Sequence, residues 1–115
     1  MVTISTYNAR TLPFESSIEG LLMQARMIRH EVIGLAETRR RHPFNAVYDT
    51  GKELLLGTCE SRGVDGVGVL VNTSLSMNID SFEQRTTLIG RLRLKRCGSI
   101  PDLTIFVALH ANIKL

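Results

Sequence analysis

The five apolar residues Val32-Ile33-Gly34-Leu35-Ala36 run without alternation and end at the carboxylate of Glu37. An unbroken apolar run of this length is typical of a strand that is covered on both faces. Upstream, Val2 to Tyr7 is rich in β-branched and aromatic residues, which predicts a first strand. Asn8 and the segment that leads to Pro13 end this strand, because proline cannot continue a sheet ladder.

The segment between these two strands has the pattern of a helix. Ser16 is a suitable N-cap, and Glu19 stands three residues later as in a capping box. An apolar stripe with spacings of three and four follows, formed by Ile18, Leu21, Leu22, Ala25 and Ile28. We expect the stripe to pack on a sheet, with a groove for a partner as the alternative. The order strand, helix, strand predicts a right-handed crossover between parallel strands.

Beyond Thr38 the sequence predicts strands without further helices. A polar and basic stretch to Asn45 comes first, and Glu60 to Asp65 is predicted to be a turn. The predicted strands are Val47–Thr50, Glu53–Thr58, Gly66–Asn72, a basic strand Arg85–Arg96 and an apolar strand Leu103–Leu109. The last two are expected to form a hairpin. The fold class is therefore α/β, with mostly antiparallel strands and one clear N-terminal helix. One helix cannot cover all sheet faces, so the layers are expected to be incomplete.

Composition sets limits on the class of protein. The chain has 115 residues, of which 43% are hydrophobic and 22% charged, so residues 1–115 suffice for a single core. This balance excludes a disordered tail, a collagen-like repeat and a coiled coil. We find neither a membrane-length apolar run nor a secretory leader, and we expect an intracellular protein, nuclear or cytoplasmic and not secreted. Cys59 and Cys97 are expected to be reduced thiols.

Asn8 and Glu37 are the candidate site residues. Each follows a predicted strand, and the carboxyl ends of neighbouring parallel strands are where α/β sheets bind ligands. A hard cation such as Mg²⁺ takes oxygen ligands, usually one or two carboxylates with waters and substrate phosphate. Glu37 offers a carboxylate and Asn8 an amide oxygen. The alternative is a solvated glutamate and a turn-forming asparagine.

Several motifs resemble the endonuclease/exonuclease/phosphatase superfamily, which has the DNase I-like fold. More narrowly, the chain is similar to the N-terminal endonuclease of RTE-type non-LTR retrotransposon polyproteins. The resemblance rests on Tyr7–Leu12, Ile33–Thr38, Gly66–Asn72 and Ile89–Leu94, and it extends to about Leu109. It implies an incomplete DNase I-like α/β sandwich, with residues 1–115 covering about the first half of the family's domain.

The resemblance also implies a chemistry. In the family, the glutamate at the position of Glu37 binds Mg²⁺ (or Mn²⁺), and the asparagine at that of Asn8 supports the metal or the scissile phosphate. The reaction would be hydrolysis of a DNA phosphodiester, in a polyprotein that also carries a reverse transcriptase. The family's general base is a histidine paired with an aspartate, and no position here matches them. His110 is expected to be a surface histidine, and the chain alone, as a truncated domain, is expected to be inactive.

The basic residues suggest a partner. Arg39, Arg40 and Arg41 follow Glu37 directly and, with Arg10 of the first motif, are candidate ligands of the DNA backbone. The alternative is a solvated charge run. A second basic group, Arg91 to Lys95 with period two, is expected to be an outer sheet face. Two further functions stay open: a non-catalytic nucleic-acid-binding remnant, and a phosphatase-type member of the superfamily.

Overall fold

The computed structural model describes residues 3–8, 19–23, 25, 30–48, 51–59, 65–95 and 102–108. Within these residues, eight strands form a five-stranded and a three-stranded sheet. The strands are β1 (Ile4–Asn8), β2 (Val32–Ala36), β3 (Phe44–Val47), β4 (Glu53–Leu56), β5 (Val67–Val71), β6 (Ile79–Thr86), β7 (Ile89–Leu94) and β8 (Leu103–Ala108). Residues 19–23 and 25 are helical, and a short helix spans Thr73–Ser76. The α/β class is confirmed.

The five-stranded sheet has the order β1-β2-β5-β4-β3. Strands β1 and β2 are parallel, as the strand, helix, strand pattern predicts, and their register joins Asn8 to Ala36. The other pairs, β2 with β5, β5 with β4 and β4 with β3, are antiparallel. The central strand β5 is buried along its whole length, in keeping with its all-apolar sequence.

Both faces of the five-stranded sheet carry buried core residues. On one face, Leu21 and Ala25 of the helical segment pack on Leu35 and its neighbours. On the other face, the valines of β2 and β5 meet Leu92 and Leu94 of the second sheet. Each fully buried leucine or valine contributes roughly 1.5–3 kcal/mol. A second sheet thus packs where a further helix would otherwise be needed on the second face.

The helical segment bears out the predicted stripe where it is described. Leu21 and Ala25 are buried and Leu22 is half-buried, whereas Met23, off the stripe, is 67% exposed. Ser16, Ile18 and Ile28 lie outside the described residues. In the part of the chain that is described, no helix is long and apolar enough to cross a membrane.

The three-stranded sheet corrects one prediction. The stretch 85–96 is not a single strand, since β6 ends at Thr86 and β7 begins at Ile89. Thr86 supports the intervening turn, because its Oγ1 accepts a hydrogen bond from the Leu88 amide. The predicted pairing of β7 with an antiparallel β8 is confirmed. The period-two pattern is confirmed as well, with Leu92 and Leu94 buried between cationic residues.

Two shorter strands differ from their predicted bounds. The strand expected at residues 47–50 lies at Phe44–Val47, because a tight turn follows it. In that turn the Gly51 amide donates to the Tyr48 carbonyl, and Gly51 has a φ of +86°. The strand expected at residues 53–58 ends at Leu56. Of the turn expected at residues 60–65, Asp65 alone is described.

Candidate functional site

Asn8 and Glu37 lie at the same edge of the five-stranded sheet. Asn8 is the last residue of β1 and pairs with Ala36, the residue before Glu37. Both residues line one cleft of about 600 Å³, whose other walls are the faces of β1 and β2 and residues Ile105 to Ala108 of β8. The parallel pairing thus places Asn8 and Glu37 at one sheet edge and on one cleft, as expected for adjoining carboxyl ends of strands.

The cleft exists because the two sheets cover each other only in part. Strands β1 and β8 each stand at an edge of their sheet as described. Gly34 lets β8 approach β2, since a Cβ there would lie 3.3 Å from both methyl groups of Val107. Next to this contact Ile4 is 50% exposed and Phe106 is 62% exposed. Solvent and ligands therefore have access to the β1 face that ends at Asn8.

The loop after β2 has an unusual backbone. Glu37 and Arg39 have φ angles of +56° and +52°, a region that costs residues other than glycine roughly 1–2 kcal/mol each. Two hydrogen bonds hold this shape: the Thr38 amide donates to Gly66 (3.1 Å) and the Arg39 amide to Asp65 (2.9 Å). Thr38 between them is fully buried. The position of Glu37 is therefore fixed by its neighbours, and strain of this kind clusters at functional sites.

The three arginines after Glu37 lie in different environments. Arg39 and Arg40 are half-buried and Arg41 is exposed. The Arg40 guanidinium lies 4.6 Å from the centroid of the Phe44 ring, a cation–π contact. Burial raises the pKa of Tyr48 above its usual 10.0, and the charge of Arg40 opposes that increase. Arg10 lies outside the described residues.

The second sheet forms hydrogen bonds with the two segments that contact the loop after β2. The Gln84 side chain of β6 accepts from the amide and hydroxyl of Thr58 and donates to the Thr58 carbonyl. The Gly66 amide donates to the carbonyl of Thr87 in the β6–β7 turn. Sequence patterns do not identify Gln84, because its partner is 26 residues away and no local pattern joins the two.

Two cations of the second sheet form ion pairs. On the outer face of the second sheet, Arg91 pairs with Glu83 at 2.6 Å and Lys95 pairs with Asp80 at 3.5 Å. These exposed or half-exposed pairs support the interpretation of an ordinary outer face. Cys59 is a half-buried free thiol, whereas Cys97 and His110 lie outside the described residues.

The donor set suits a hard cation that keeps part of its own solvent shell. Among the described residues, no three or more His, Cys, Asp or Glu side chains come together. One carboxylate with one amide oxygen is nevertheless enough for Mg²⁺, which takes its other ligands from water and phosphate. Glu37 and Asn8 have this composition and share the cleft.

Comparison of the chain with models of protein families, with curated proteins and with solved structures gave no match. A functional proposal therefore depends on the geometry of Asn8 and Glu37, on the Arg39–Arg41 loop and on the sequence motifs. Of these, the geometry is the strongest support, because it follows from a strand register and a common cleft.

Proposed function

We propose that this chain carries the metal- and phosphate-binding part of a Mg²⁺-dependent DNA endonuclease of the endonuclease/exonuclease/phosphatase superfamily, of the retrotransposon type. One observation supports this most: Asn8 and Glu37 end two adjacent parallel strands and line the same cleft. Part of a DNase I-like sandwich is the corresponding fold, and two packed sheets with few helices are compatible with it.

Glu37 would hold Mg²⁺ or Mn²⁺ through its carboxylate, and Asn8 would hold the metal or a phosphate oxygen through its amide. A bound Mg²⁺ would supply charge neutralisation at the phosphate and at the leaving oxygen. The rigid loop keeps Glu37 in place before substrate arrives, which reduces the reorganisation that the reaction requires. Arg39 to Arg41 would bind the DNA backbone beside the scissile phosphate.

Metal binding tests the first part of the proposal. In a Mn²⁺ titration followed by ¹H–¹⁵N NMR, we expect the amide signals of Asn8, Ala36 and Glu37 to broaden first. Glu37→Gln keeps the size of the side chain but removes the charge, so it should weaken Mn²⁺ binding at least about tenfold.

Glu53→Gln is the matched control for this titration. Glu53 begins β4 and pairs with Val71, at one end of the β4–β5 pair. The other end of that pair, where Leu56 pairs with Gly68, lies at the edge of the sheet that carries Glu37. The control variant should bind Mn²⁺ as the unmodified chain does. Equal broadening in all three proteins, or broadening centred elsewhere, would contradict the proposal.

Binding of DNA without cleavage is the second candidate function, and the position of three arginines directly after Glu37 favours it. The logarithm of the affinity should fall with the logarithm of salt concentration, with a slope of about −0.9 per phosphate contact. Arg41→Gln should reduce that slope by about one. Salt-independent binding would argue against both candidates.

For catalysis, we expect no nicking of supercoiled plasmid by the 115-residue chain with Mg²⁺. A positioned acid or base typically contributes 10²–10⁴-fold, and the family's histidine and aspartate match no position of this sequence. Efficient metal-dependent nicking that is lost in Glu37→Ala would show the active-site assignment to be right and the expected inactivity to be wrong.

A further inference from the structure

The side-chain amide of Gln84, in β6, forms hydrogen bonds with Thr58, in the loop after β4, and we call this contact the clamp. Its Oε1 accepts from the Thr58 amide at 2.8 Å and from Thr58 Oγ1 at 3.1 Å. Its Nε2 donates to the Thr58 carbonyl. One amide side chain thus engages the backbone donor, the backbone acceptor and the hydroxyl of a single residue, and it fixes the position of that residue.

A peptide bond and a hydrogen bond connect the clamp to Arg40. Cys59 follows Thr58, and its amide donates to the Arg40 carbonyl at 2.6 Å. The Arg40 side chain then lies over the Phe44 ring. Gln84, Thr58, Cys59 and Arg40 are therefore linked in sequence by hydrogen bonds and one peptide bond.

The backbone before Thr58 packs closely against the Gln84 side chain. A Cβ on Gly57, the residue before Thr58, would lie 2.7 Å from both Cδ and Oε1 of Gln84. The absence of a side chain at residue 57 thus lets the backbone lie directly against the Gln84 amide. On the far side, the Gly66 amide donates to Thr87 and the Gly66 carbonyl accepts from Thr38, which ties the start of the loop to the same hairpin.

We infer that Gln84 is a positioning residue that fixes the Arg40 guanidinium for contact with the phosphate backbone of DNA. The inference rests on the proposed function and names the residue that controls one of its phosphate contacts. A planar guanidinium binds phosphate best in a defined orientation, so a loop of fixed shape favours the contact. Gln84 does not touch the nucleic acid and acts through Thr58 and Cys59.

A double-mutant cycle tests this coupling. Gln84→Leu removes all three hydrogen bonds, and it should weaken DNA binding in a fluorescence-anisotropy assay by about three- to tenfold. In the Arg40→Gln background the same change should have no further effect. An equal loss in both backgrounds would overturn the inference, because the effect would then not pass through Arg40.

Two other variants separate positioning from general stability. Gln84→Glu keeps the acceptor for the Thr58 amide and hydroxyl but loses the donor, so it should retain part of the affinity. Ile33→Val loosens the buried face of β2 that packs on the helical segment, and it should leave DNA affinity unchanged. A loss in Ile33→Val as large as that in Gln84→Leu would contradict a specific role for Gln84.

The chemical shifts of Arg40 give a measurement that does not depend on DNA. Because its guanidinium lies over the Phe44 ring, the Arg40 side-chain protons should be shifted by the ring current. In Gln84→Leu these shifts should move towards random-coil values, and in Ile33→Val they should not. Unchanged shifts in Gln84→Leu would overturn the inference. If the chain binds no DNA, the proposed DNA contact of Arg40 fails together with the proposed function, whereas shifts that respond as expected would still show that Gln84 positions Arg40.

Discussion

Gly66, immediately before β5, packs tightly against the loop that follows β2. Its φ is +98°, and its amide and carbonyl bond to Thr87 and Thr38. A Cβ at this position would lie 2.6 Å from Thr38 Oγ1, in a place where Thr38 is fully buried. Both the backbone angle and the packing therefore require glycine.

Gly66→Ala should lower the free energy of unfolding by about 1–3 kcal/mol, measured by urea denaturation. Gly20→Ala is the opposite case, since residue 20 is helical and exposed and a Cβ there meets nothing within 4 Å. That change should stabilise the chain by about 0.5–1 kcal/mol. A neutral result for Gly66→Ala would mean that the loop can relax.

At the scale of elements, the sequence predicts best the strands that are apolar and buried along almost their whole length. Strands β2 and β5 are continuous apolar runs, and their buried patterns follow directly. Strand β6 was missed because its register shifts between Ile79 and Ser81 and again between Gln84 and Thr86. Each irregularity interrupts the period of two, so Ile79–Thr86 lacks the alternation that identifies a strand.

The candidate site could be predicted only as far as topology determines it. Two parallel strands necessarily bring Asn8 and Glu37 to one edge, and the strand, helix, strand pattern was enough to predict that pairing. The hydrogen bonds that Gln84 and Thr87 form with Thr58 and Gly66 come from the second sheet. No local pattern encodes such a contact, because it depends on how the sheets pack.

The opposite edge of the same two strands carries a hydrogen-bonded carboxylate, Glu31. The Glu31 carboxylate, before β2, accepts hydrogen bonds from the amide and hydroxyl of Thr3, before β1. These bonds lower the pKa of Glu31 below its usual 4.5. The stabilisation is therefore complete above pH 4.5 and is lost as the pH falls through the lowered pKa.

The melting temperature should thus decrease less below pH 4.5 in Glu31→Gln than in the unmodified chain, in thermal unfolding curves from pH 7 to 3. Glu53→Gln serves as the comparison, and its decrease should match that of the unmodified chain. If the melting temperature depends on pH in the same way in all three proteins, the Glu31 carboxylate does not contribute to the loss of stability in acid.

At the scale of the whole molecule, β1 and β8 are edge strands within the part of the chain that the structure describes. Among the described residues, β1 pairs only with β2, and β8 only with β7. Strand β8 carries no charged side chain along Leu103–Ala108, and Phe106 is exposed. Long uncharged edges of this kind favour association with other chains.

Phe106→Lys should therefore reduce aggregation, measured by light scattering at increasing protein concentration. Met77→Lys is the matched control, because Met77 is 96% exposed but lies in the turn after the short helix. It adds the same charge and removes an exposed apolar side chain at a position outside the strands. An equal benefit from both changes would assign the effect to net charge and not to the edge of β8.

The clamp from Gln84 to Thr58 has a consequence for the order in which the molecule assembles. Its partners are 26 residues apart, one in the loop after β4 and the other in β6 of the second sheet, so bringing them together costs chain entropy. The loop that carries Glu37 thus cannot reach its final shape before the sheets have docked. In refolding experiments with pulsed deuterium labelling, the amide hydrogens of Thr38, Arg39 and Cys59 should gain protection after those in the middle of β2 and β5.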